Sequence, residues 1–172
     1  MKTIYFVTSL PRTGTTSLCS MADLCGLKSI HVLKNQSLTQ ALDNGYNFFA
    51  DTPFYNPEFL IGILESGLKD KYNIKFIYSR REIISHQNSL DKLFNKWKPS
   101  EKIYNQISLL DHLCYERLNI EYIKNHYNYI KKISSYYKID ILDYNFNKDW
   151  KPFCDFIEKP IPNKKIPHKN KL

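Results

Sequence analysis

Short apolar runs and longer mixed segments alternate along the chain, and this alternation is the main structural signal in the sequence. The runs at residues 4–7 and 74–79 are nearly continuous, which is typical of strands buried on both faces of a sheet. These and two similar runs predict strands at residues 3–8, 46–50, 74–79 and 139–144. The mixed segments predict helices at residues 15–26, 57–68, 82–94 and about 101–137, and a last helix after the fourth strand. The long region at 101–137 can break near Asn119 or Asn125.

Alternating strands and helices favour a parallel sheet, because each parallel connection has to cross back over the sheet through a helix. We therefore expect an α/β fold, a three-layer α/β/α sandwich with a central parallel sheet and right-handed crossovers. A chain of 172 residues with 42% hydrophobic content can bury one good core, so we expect a single domain over residues 1–172. Its ligand crevice should lie at the carboxyl ends of the strands.

The segment at residues 10–18, LPRTGTTSL, follows the first predicted strand and indicates a turn that holds an anion. Gly14 lets the backbone turn tightly, and the hydroxyl-rich residues after it open a helix whose unpaired N–H groups face the ligand. The nucleoside triphosphate P-loop has a lysine at the position of Thr15, and here the cation is Arg12 instead. The expected ligand is a nucleotide phosphate or sulfate.

The order P-R-x-G-T-T at residues 11–16 resembles the loop with which sulfotransferases bind 3′-phosphoadenosine 5′-phosphosulfate (PAPS), whose form is P-[KR]-x-G-[ST]-[ST]. A second block is similar to the 3′-phosphate site of that family, R-[DN]-P-x-x-x-x-x-S. Arg81 follows the third predicted strand, and Ser89 lies about two helical turns later, so the two can converge on one phosphate. The chain has Ile83 where the pattern has proline.

The end of the chain, residues 149–170, resembles the carboxyl-terminal helix of the same family and the short segment after it. Trp150, Phe153, Phe156 and Ile157 repeat at helical spacing, so we expect them to form a buried face and not a binding site. The three blocks occur in the order of the family. The resemblance therefore implies a sulfotransferase with a P-loop NTPase-like fold over nearly the whole chain.

The resemblance implies transfer of a sulfonate group from PAPS to a hydroxyl or amine, with adenosine 3′,5′-bisphosphate (PAP) as the product. Arg12 would neutralise charge on the departing 5′-phosphate and, because arginine stays protonated, would act electrostatically. Backbone or hydroxyl donors around the 5′ group would come from Thr13, Gly14, Thr15, Thr16 and Ser17. Arg81 and Ser89 would bind the 3′-phosphate, and this chemistry needs no metal ion.

A hydroxyl acceptor also benefits from a base that takes up its proton. Asp51 is the first candidate, because it closes the apolar run at residues 48–50 and opens a D-x-P segment like one found in part of the family. The other candidates are Glu58 and His31, and His31 also resembles a family position after the first helix. Each also has a structural interpretation, since Asp51 can cap the next turn, His31 can be a satisfied loop histidine, and Glu58 can favour a helix start.

The net charge of +8 and the 15% aromatic content raise the question of nucleic-acid binding. The basic residues are scattered along the chain instead of massed in one segment, so we expect no nucleic-acid partner. We interpret the positive charge as a feature that attracts an anionic cofactor or an acidic acceptor. In the basic tail, Lys169 and Lys171 are weak candidates for nucleotide contacts.

Targeting and cysteine signals are few. No apolar run approaches the length of a membrane helix, and the start of the chain is too short for a signal peptide, so we expect a cytoplasmic protein without a membrane partner. The four cysteines, at 19, 25, 114 and 154, form no C-x-x-C pair and have no histidine at zinc-ligand spacing. We expect reduced, buried thiols and no metal site.

Two other functions stay open on the sequence. A P-loop nucleotide kinase or NTPase would share the opening strand, loop and helix, but it would need magnesium and has only Asp51 as a carboxylate after its second strand. A non-catalytic module that holds PAPS or PAP without transfer is the other alternative. The sequence identifies neither the acceptor, which we expect to be a small molecule or a carbohydrate, nor the oligomeric state.

Overall fold

A computed structural model describes residues 1–33, 36–97, 120–145 and 149–167. Its strands are β1 (Lys2–Val7), β2 (Ser29–Ile30), β3 (Phe48–Phe49), β4 (Tyr72–Arg80) and β5 (Asp140–Asn145). Its helices are α1 (Thr15–Leu24), α2 (Leu38–Asp43), α3 (Pro57–Glu65), α4 (Leu68–Lys71), α5 (Ile83–Trp97), α6 (Ile120–Tyr137) and α7 (Lys151–Ile157). The strands form one parallel sheet in the order β2-β3-β1-β4-β5.

The central strand β1 is buried on both faces of the sheet. Ile4 and Phe6 pack in one core with side chains of α2, α3 and α6, whereas Tyr5 and Val7 pack in a second core with α1 and α7. The period of two along a strand sends neighbouring side chains to opposite faces, and both faces are apolar here. Helices therefore cover both faces of the sheet, which confirms the expected three-layer α/β/α sandwich.

The long central strands lie where the sequence predicts them, and the differences are mostly at the β2 edge. The hydrophobic pattern does not predict β2 or α2, because β2 has two residues and α2 has only six. The strand expected at 46–50 is limited to Phe48–Phe49. The helix expected at 57–68 ends at Glu65, and left-handed Gly67, with φ 77°, separates it from α4.

The long helical region predicted at about 101–137 is described over α6 alone, which continues through Asn125 without a break. The rest of that region, at 101–119, lies outside the described residues. In the part of the chain that the structure describes, no helix is both long and apolar enough to cross a membrane.

The last helix packs through the face that its periodicity predicts. Trp150, Phe153 and Ile157 are buried in the second core, and Phe156 is partly buried against it. The Trp150 indole N–H donates to the Lys164 carbonyl at 2.7 Å, which ties the following segment to the helix. This confirms that these aromatic residues belong to the core.

The described cysteines are free thiols. Cys19 and Cys154 are buried as expected, Cys25 is half-buried, and Cys114 lies outside the described residues. The Sγ atoms of Cys25 and Cys154 are 4.0 Å apart, so they join the end of α1 to α7. Burial raises the pKa of Cys25 to about 12.

Candidate active site

The loop between β1 and α1 carries the two backbone features that an anion site needs. Arg12 and Gly14 both have left-handed backbone angles, with φ of 70° and 95°. Gly14 precedes α1 and has no side chain to cap it, and the first turn of α1 contains no acidic residue. The first N–H groups of α1, together with the positive end of its dipole, therefore suit an external anion.

Four consecutive carbonyl groups of this loop, at residues 10–13, each accept a hydrogen bond from a side chain. The donors are Thr13 Oγ1 to Leu10 O (2.8 Å), His86 Nε2 to Pro11 O (2.7 Å), Arg81 Nη1 to Arg12 O (3.2 Å) and Ser79 Oγ to Thr13 O (3.0 Å). In a trans peptide the C=O and the next N–H point in opposite directions. Fixing the last three carbonyls therefore directs the N–H groups of Arg12, Thr13 and Gly14 away from those partners.

Thr13 takes part in this network through its hydroxyl as well. Its Oγ1 donates to Leu10 O and lies 3.0 Å from Ser79 Oγ, whose one proton it shares with the Thr13 carbonyl, and Ser79 also lies 2.9 Å from Ser9 Oγ. All three hydroxyls are buried under the loop. Since the Thr13 hydroxyl proton is used inside the protein, the contribution of Thr13 to an anion would come from its backbone N–H.

Three of the residues predicted to bind the nucleotide come together beside the loop. Arg12 Nε lies 3.1 Å from Ser89 Oγ, and the Arg81 guanidinium reaches the carbonyl of Arg12. Arg81 directly follows β4, and Ser89 lies on α5, buried to 6% exposure. The Arg12 guanidinium thus contacts the Ser89 hydroxyl, and the Arg81 guanidinium binds the Arg12 backbone, at the carboxyl edge of β1 and β4. Guanidinium and hydroxyl donors suit phosphate or sulfate.

The start of α5 has a side-chain cap, whereas the family pattern has a proline at this helix start. The Glu82 carboxylate accepts from the N–H groups of Ile84 (3.0 Å) and Ser85 (2.7 Å). These backbone hydrogen bonds lower the pKa of Glu82. The carboxylate caps the helix and interacts favourably with the positive end of its dipole, so α5 begins at Ile83, two residues after Arg81.

Of the two arginines at the end of β4, only Arg81 faces the loop. Arg80 pairs with Asp143 on β5 at 2.7 Å, and its guanidinium stacks on the Tyr127 ring with 3.5 Å between the guanidinium carbon and the ring centroid. Tyr127 also donates to Asp143 at 2.8 Å. Arg80 is thus held by its neighbours on β5 and α6.

The candidate bases lie on the other side of the loop, at the carboxyl ends of β2 and β3. His31 Nε2 is 3.0 Å from the hydroxyls of both Thr15 and Thr16 and 3.4 Å from Asp51 Oδ2. Thr15 Oγ1 donates to the same Asp51 oxygen at 3.1 Å. An imidazole, a carboxylate and two hydroxyls therefore form one cluster at the start of α1.

Asp51 combines this contact with a structural role. Its φ is 61°, and its Oδ1 accepts from the N–H (2.9 Å) and the hydroxyl (3.3 Å) of Thr52, so this oxygen also holds the turn that follows. Its other oxygen faces Thr15 and His31. Glu58, the third candidate, is exposed in the first turn of α3, where Asn56 caps the helix.

A groove of about 440 Å³ adjoins the loop at the end of β4. It lies between α5 and α6, and Thr13, Tyr78, Arg81, His86, Ile123 and Tyr127 contribute to its lining. Its lining combines arginine side chains with aromatic and aliphatic surface. Thr13 and Arg81 belong both to the groove and to the loop site.

Sequence reasoning overlooks the residues that support the loop. His86 has only 2% exposure, and Ser9 and Ser79 are fully buried. A small hydroxyl residue at the end of each central strand is the signal for the two serines, but serine is so common in loops that the signal is weak. His86 has no sequence signal, since its role depends on how α5 packs against the loop. Lys169 and Lys171 lie outside the described residues.

Fold and site together define a class: a three-layer α/β protein with a loop suited to an anion at the carboxyl edge of its sheet. A family model described as a sulfotransferase domain matches residues 71–172, which include β4, Arg81, Ser89 and the last helix. The chain belongs to this sulfotransferase family. The loop with Arg12 lies before the matched residues. No curated protein matches the chain significantly.

Proposed function

We propose that this sulfotransferase transfers the sulfonate group of PAPS to a hydroxyl or amine of a small molecule or carbohydrate. The observation that carries the proposal is the convergence of Arg12, Arg81 and Ser89 beside the loop at residues 10–15. A donor with one phosphosulfate and a separate phosphate needs two anion sites a short distance apart. The loop with the start of α1 fits the first, and Arg81 with Ser89 fits the second.

The donor would lie across the carboxyl edge of β1 and β4. Its 5′-phosphosulfate would bind the N–H groups of Arg12, Thr13 and Gly14, as well as those of the first turn of α1, including Thr15, Thr16 and Ser17. Its 3′-phosphate would bind the fork of Arg81 and the hydroxyl of Ser89. The net charge of +8 would favour the approach of this anionic nucleotide.

Transfer would proceed by in-line attack of the acceptor oxygen or nitrogen on sulfur. A new bond to sulfur forms, the bond between sulfur and the bridging oxygen of the 5′-phosphate breaks, and PAP leaves with that electron pair. Arg12 would neutralise the negative charge that builds on the bridging oxygen. The acceptor proton goes to a base of the enzyme.

Asp51 and His31 are the bases that we propose for this proton. Their cluster lies at the ends of β2 and β3, on the opposite side of the loop from Arg81 and Ser89. An acceptor on this side would approach the sulfonate from the side away from the nucleotide. The carboxylate would take the proton directly or hold the imidazole that takes it.

Calorimetric titration with PAP, and with ATP in the presence and absence of magnesium, tests the donor assignment. We expect magnesium-independent binding of PAP, weakened about tenfold to a hundredfold in Arg81→Ala because a charge-assisted hydrogen bond is lost. Lys71→Ala is the matched control, since it removes one positive charge from the opposite end of β4. Its affinity for PAP should equal that of the wild type.

Other results would point to the alternatives. Binding of ATP with magnesium, and none of PAP, would overturn the proposal and favour a nucleotide kinase. A chain that binds PAP but consumes no PAPS with any hydroxyl or amine acceptor would be a binding module.

A further inference from the structure

His86 is a buried, polar side chain that the proposed chemistry does not use. It lies on α5, between Arg81 and Ser89 in sequence, and has 2% exposure. Its Nε2 is 2.7 Å from the carbonyl oxygen of Pro11, the shortest of the four hydrogen bonds that support the loop. A contact between residues 75 positions apart thus joins α5 to the anion loop.

We propose that His86 is a positioning residue that holds Arg12 in its left-handed conformation by binding the carbonyl oxygen of Pro11. The Pro11 carbonyl and the Arg12 N–H belong to one trans peptide, so fixing the first fixes the direction of the second. A left-handed backbone is unfavourable for a residue with a side chain and persists only where its surroundings enforce it. The hydrogen bond from α5 supplies part of that enforcement.

The chemistry of the imidazole suits this role. A carbonyl oxygen only accepts, so Nε2 carries the hydrogen in this contact. Burial, followed by the charge of Arg81, lowers the pKa of His86, although the bond to Pro11 opposes this change. A neutral ring can donate to the loop without placing a third positive charge beside Arg12 and Arg81.

The same helix therefore carries a ligand contact and a support for the loop. Ser89, proposed to bind the 3′-phosphate, lies about one helical turn after His86 and contacts the Arg12 side chain. His86 fixes the backbone before Arg12, and Ser89 fixes its guanidinium. The orientation of α5 thus sets the position of Arg12 at both ends.

The test compares His86→Leu, which removes the donor, with His86→Gln, whose amide N–H has a similar reach. We expect His86→Leu to weaken PAP binding about tenfold or more, because the Pro11 carbonyl loses its partner, and His86→Gln to restore most of the affinity. Ser134→Ala is the matched control. Ser134 is a buried residue of α6 that donates to the Ile139 carbonyl at 2.6 Å, before β5.

Urea unfolding of each variant separates positioning from stability. Ser134→Ala should lose stability and keep its affinity for PAP. Equal affinity of His86→Leu and the wild type, or an equal loss in Ser134→Ala, would overturn the proposal. If His86→Leu does not fold, His86→Asn replaces it, because its amide is on a shorter stem and does not reach Pro11.

The identity of the ligand rests on the proposed function, so a second readout needs no ligand. In ¹H–¹⁵N spectra of the free protein, the amide signals of Arg12, Thr13 and Gly14 should move in His86→Leu and return in His86→Gln. Unmoved signals would overturn the positioning role, even where PAP binds. Failure of the wild type to bind PAP, with moved signals in His86→Leu, would instead contradict the proposed function alone.

Discussion

At Arg12 the backbone is left-handed although the residue carries a long side chain. Three contacts hold it there: the His86 bond to the preceding carbonyl, the Arg81 bond to its own carbonyl and the Ser89 bond to its guanidinium. These contacts fix both the backbone of Arg12 and the position of its guanidinium beside Ser89. Arg12 is therefore the residue at which we expect the largest effect on the transfer step.

We predict that Arg12→Ala lowers turnover by about a hundredfold to a thousandfold, because it removes the charge that we propose to face the developing anion. The affinity for PAP should fall much less, since the N–H groups of the loop and Arg81 remain. Turnover is measured as PAP released from PAPS with an acceptor found by screening. Arg12→Lys keeps the charge and should recover part of the rate. Turnover that survives in Arg12→Ala would contradict the mechanism.

The cluster of His31 and Asp51 gives a second prediction, on the acceptor side. Asp51→Asn and His31→Gln should each lower turnover by about a hundredfold, the usual contribution of a positioned acid or base, with little change in PAP affinity. Asp140→Asn, an exposed carboxylate at the start of β5, is the control and should keep full activity. A loss in Glu58→Gln with none in Asp51→Asn would assign the base to α3 instead.

The sequence identifies these residues one at a time but does not show that they meet. Asp51 is recognisable because it ends an apolar strand, and Arg81 and Ser89 because of their spacing. The contact of His31 with Thr15 and Thr16 depends on β2, a strand of two half-buried residues that no hydrophobic period marks. Contacts of this kind follow from how the elements pack, which a local pattern does not contain.

Among the elements, α5 has the most direct connection to the site, because it carries His86 and Ser89 and begins two residues after Arg81. Its first turn depends on the Glu82 carboxylate, which caps two N–H groups. The family pattern has a proline at the next position, which would fix the backbone for a helix start. In this chain the Glu82 carboxylate stabilises the helix start instead.

We predict that Glu82→Ala lowers both the stability of the protein and its affinity for PAP, because the uncapped turn frays next to Arg81. Glu82→Asp keeps a capping carboxylate and should stay close to the wild type. Glu65→Ala removes an exposed carboxylate that accepts from the Tyr137 hydroxyl at the end of α3, and it should leave PAP affinity unchanged. Urea unfolding and calorimetry measure the two effects.

Element by element, the long strands and helices follow from hydrophobic period, whereas the short elements do not. One short helix did have a signal: Ser37 and Gln40 form a capping box at the start of α2, with the Gln40 N–H donating to Ser37 Oγ at 3.1 Å and the Ser37 N–H to Gln40 Oε1 at 2.8 Å. The S-x-x-Q spacing predicts such a start. Six residues, only two of them buried, are too few for periodicity to support it.

For the whole molecule, buried histidines link stability to pH. Burial lowers the pKa of His126 to about 4, although its bond to the Tyr55 carbonyl opposes this change, and it lowers the pKa of His86 as well. Unfolded histidine binds a proton near pH 6.5. Between about pH 6.5 and 4 the unfolded state therefore holds more protons, so stability falls as the pH is lowered through this range.

We predict that the free energy of unfolding decreases by about 2 kcal/mol for His126 between about pH 6.5 and 5. Urea unfolding at several pH values measures this slope. The His126→Gln variant should start from a lower stability, because it disturbs the bonds to Tyr78 and Tyr55, but should show a flatter slope. A wild-type stability that does not change over this range would contradict the prediction.

The order of the strands in the sheet also determines when the chain can fold during synthesis. β1 leaves the ribosome before the other described strands, yet it lies at the centre of the sheet between β3 and β4. Its six residues pair with residues 72–77. The strand therefore lacks one of its two neighbours until β4 has been synthesised. Long-range parallel pairing of this kind forms slowly, and unpaired apolar strands associate with one another. Fragments that end before β4 should therefore aggregate, because β1 then lacks one of its two neighbouring strands.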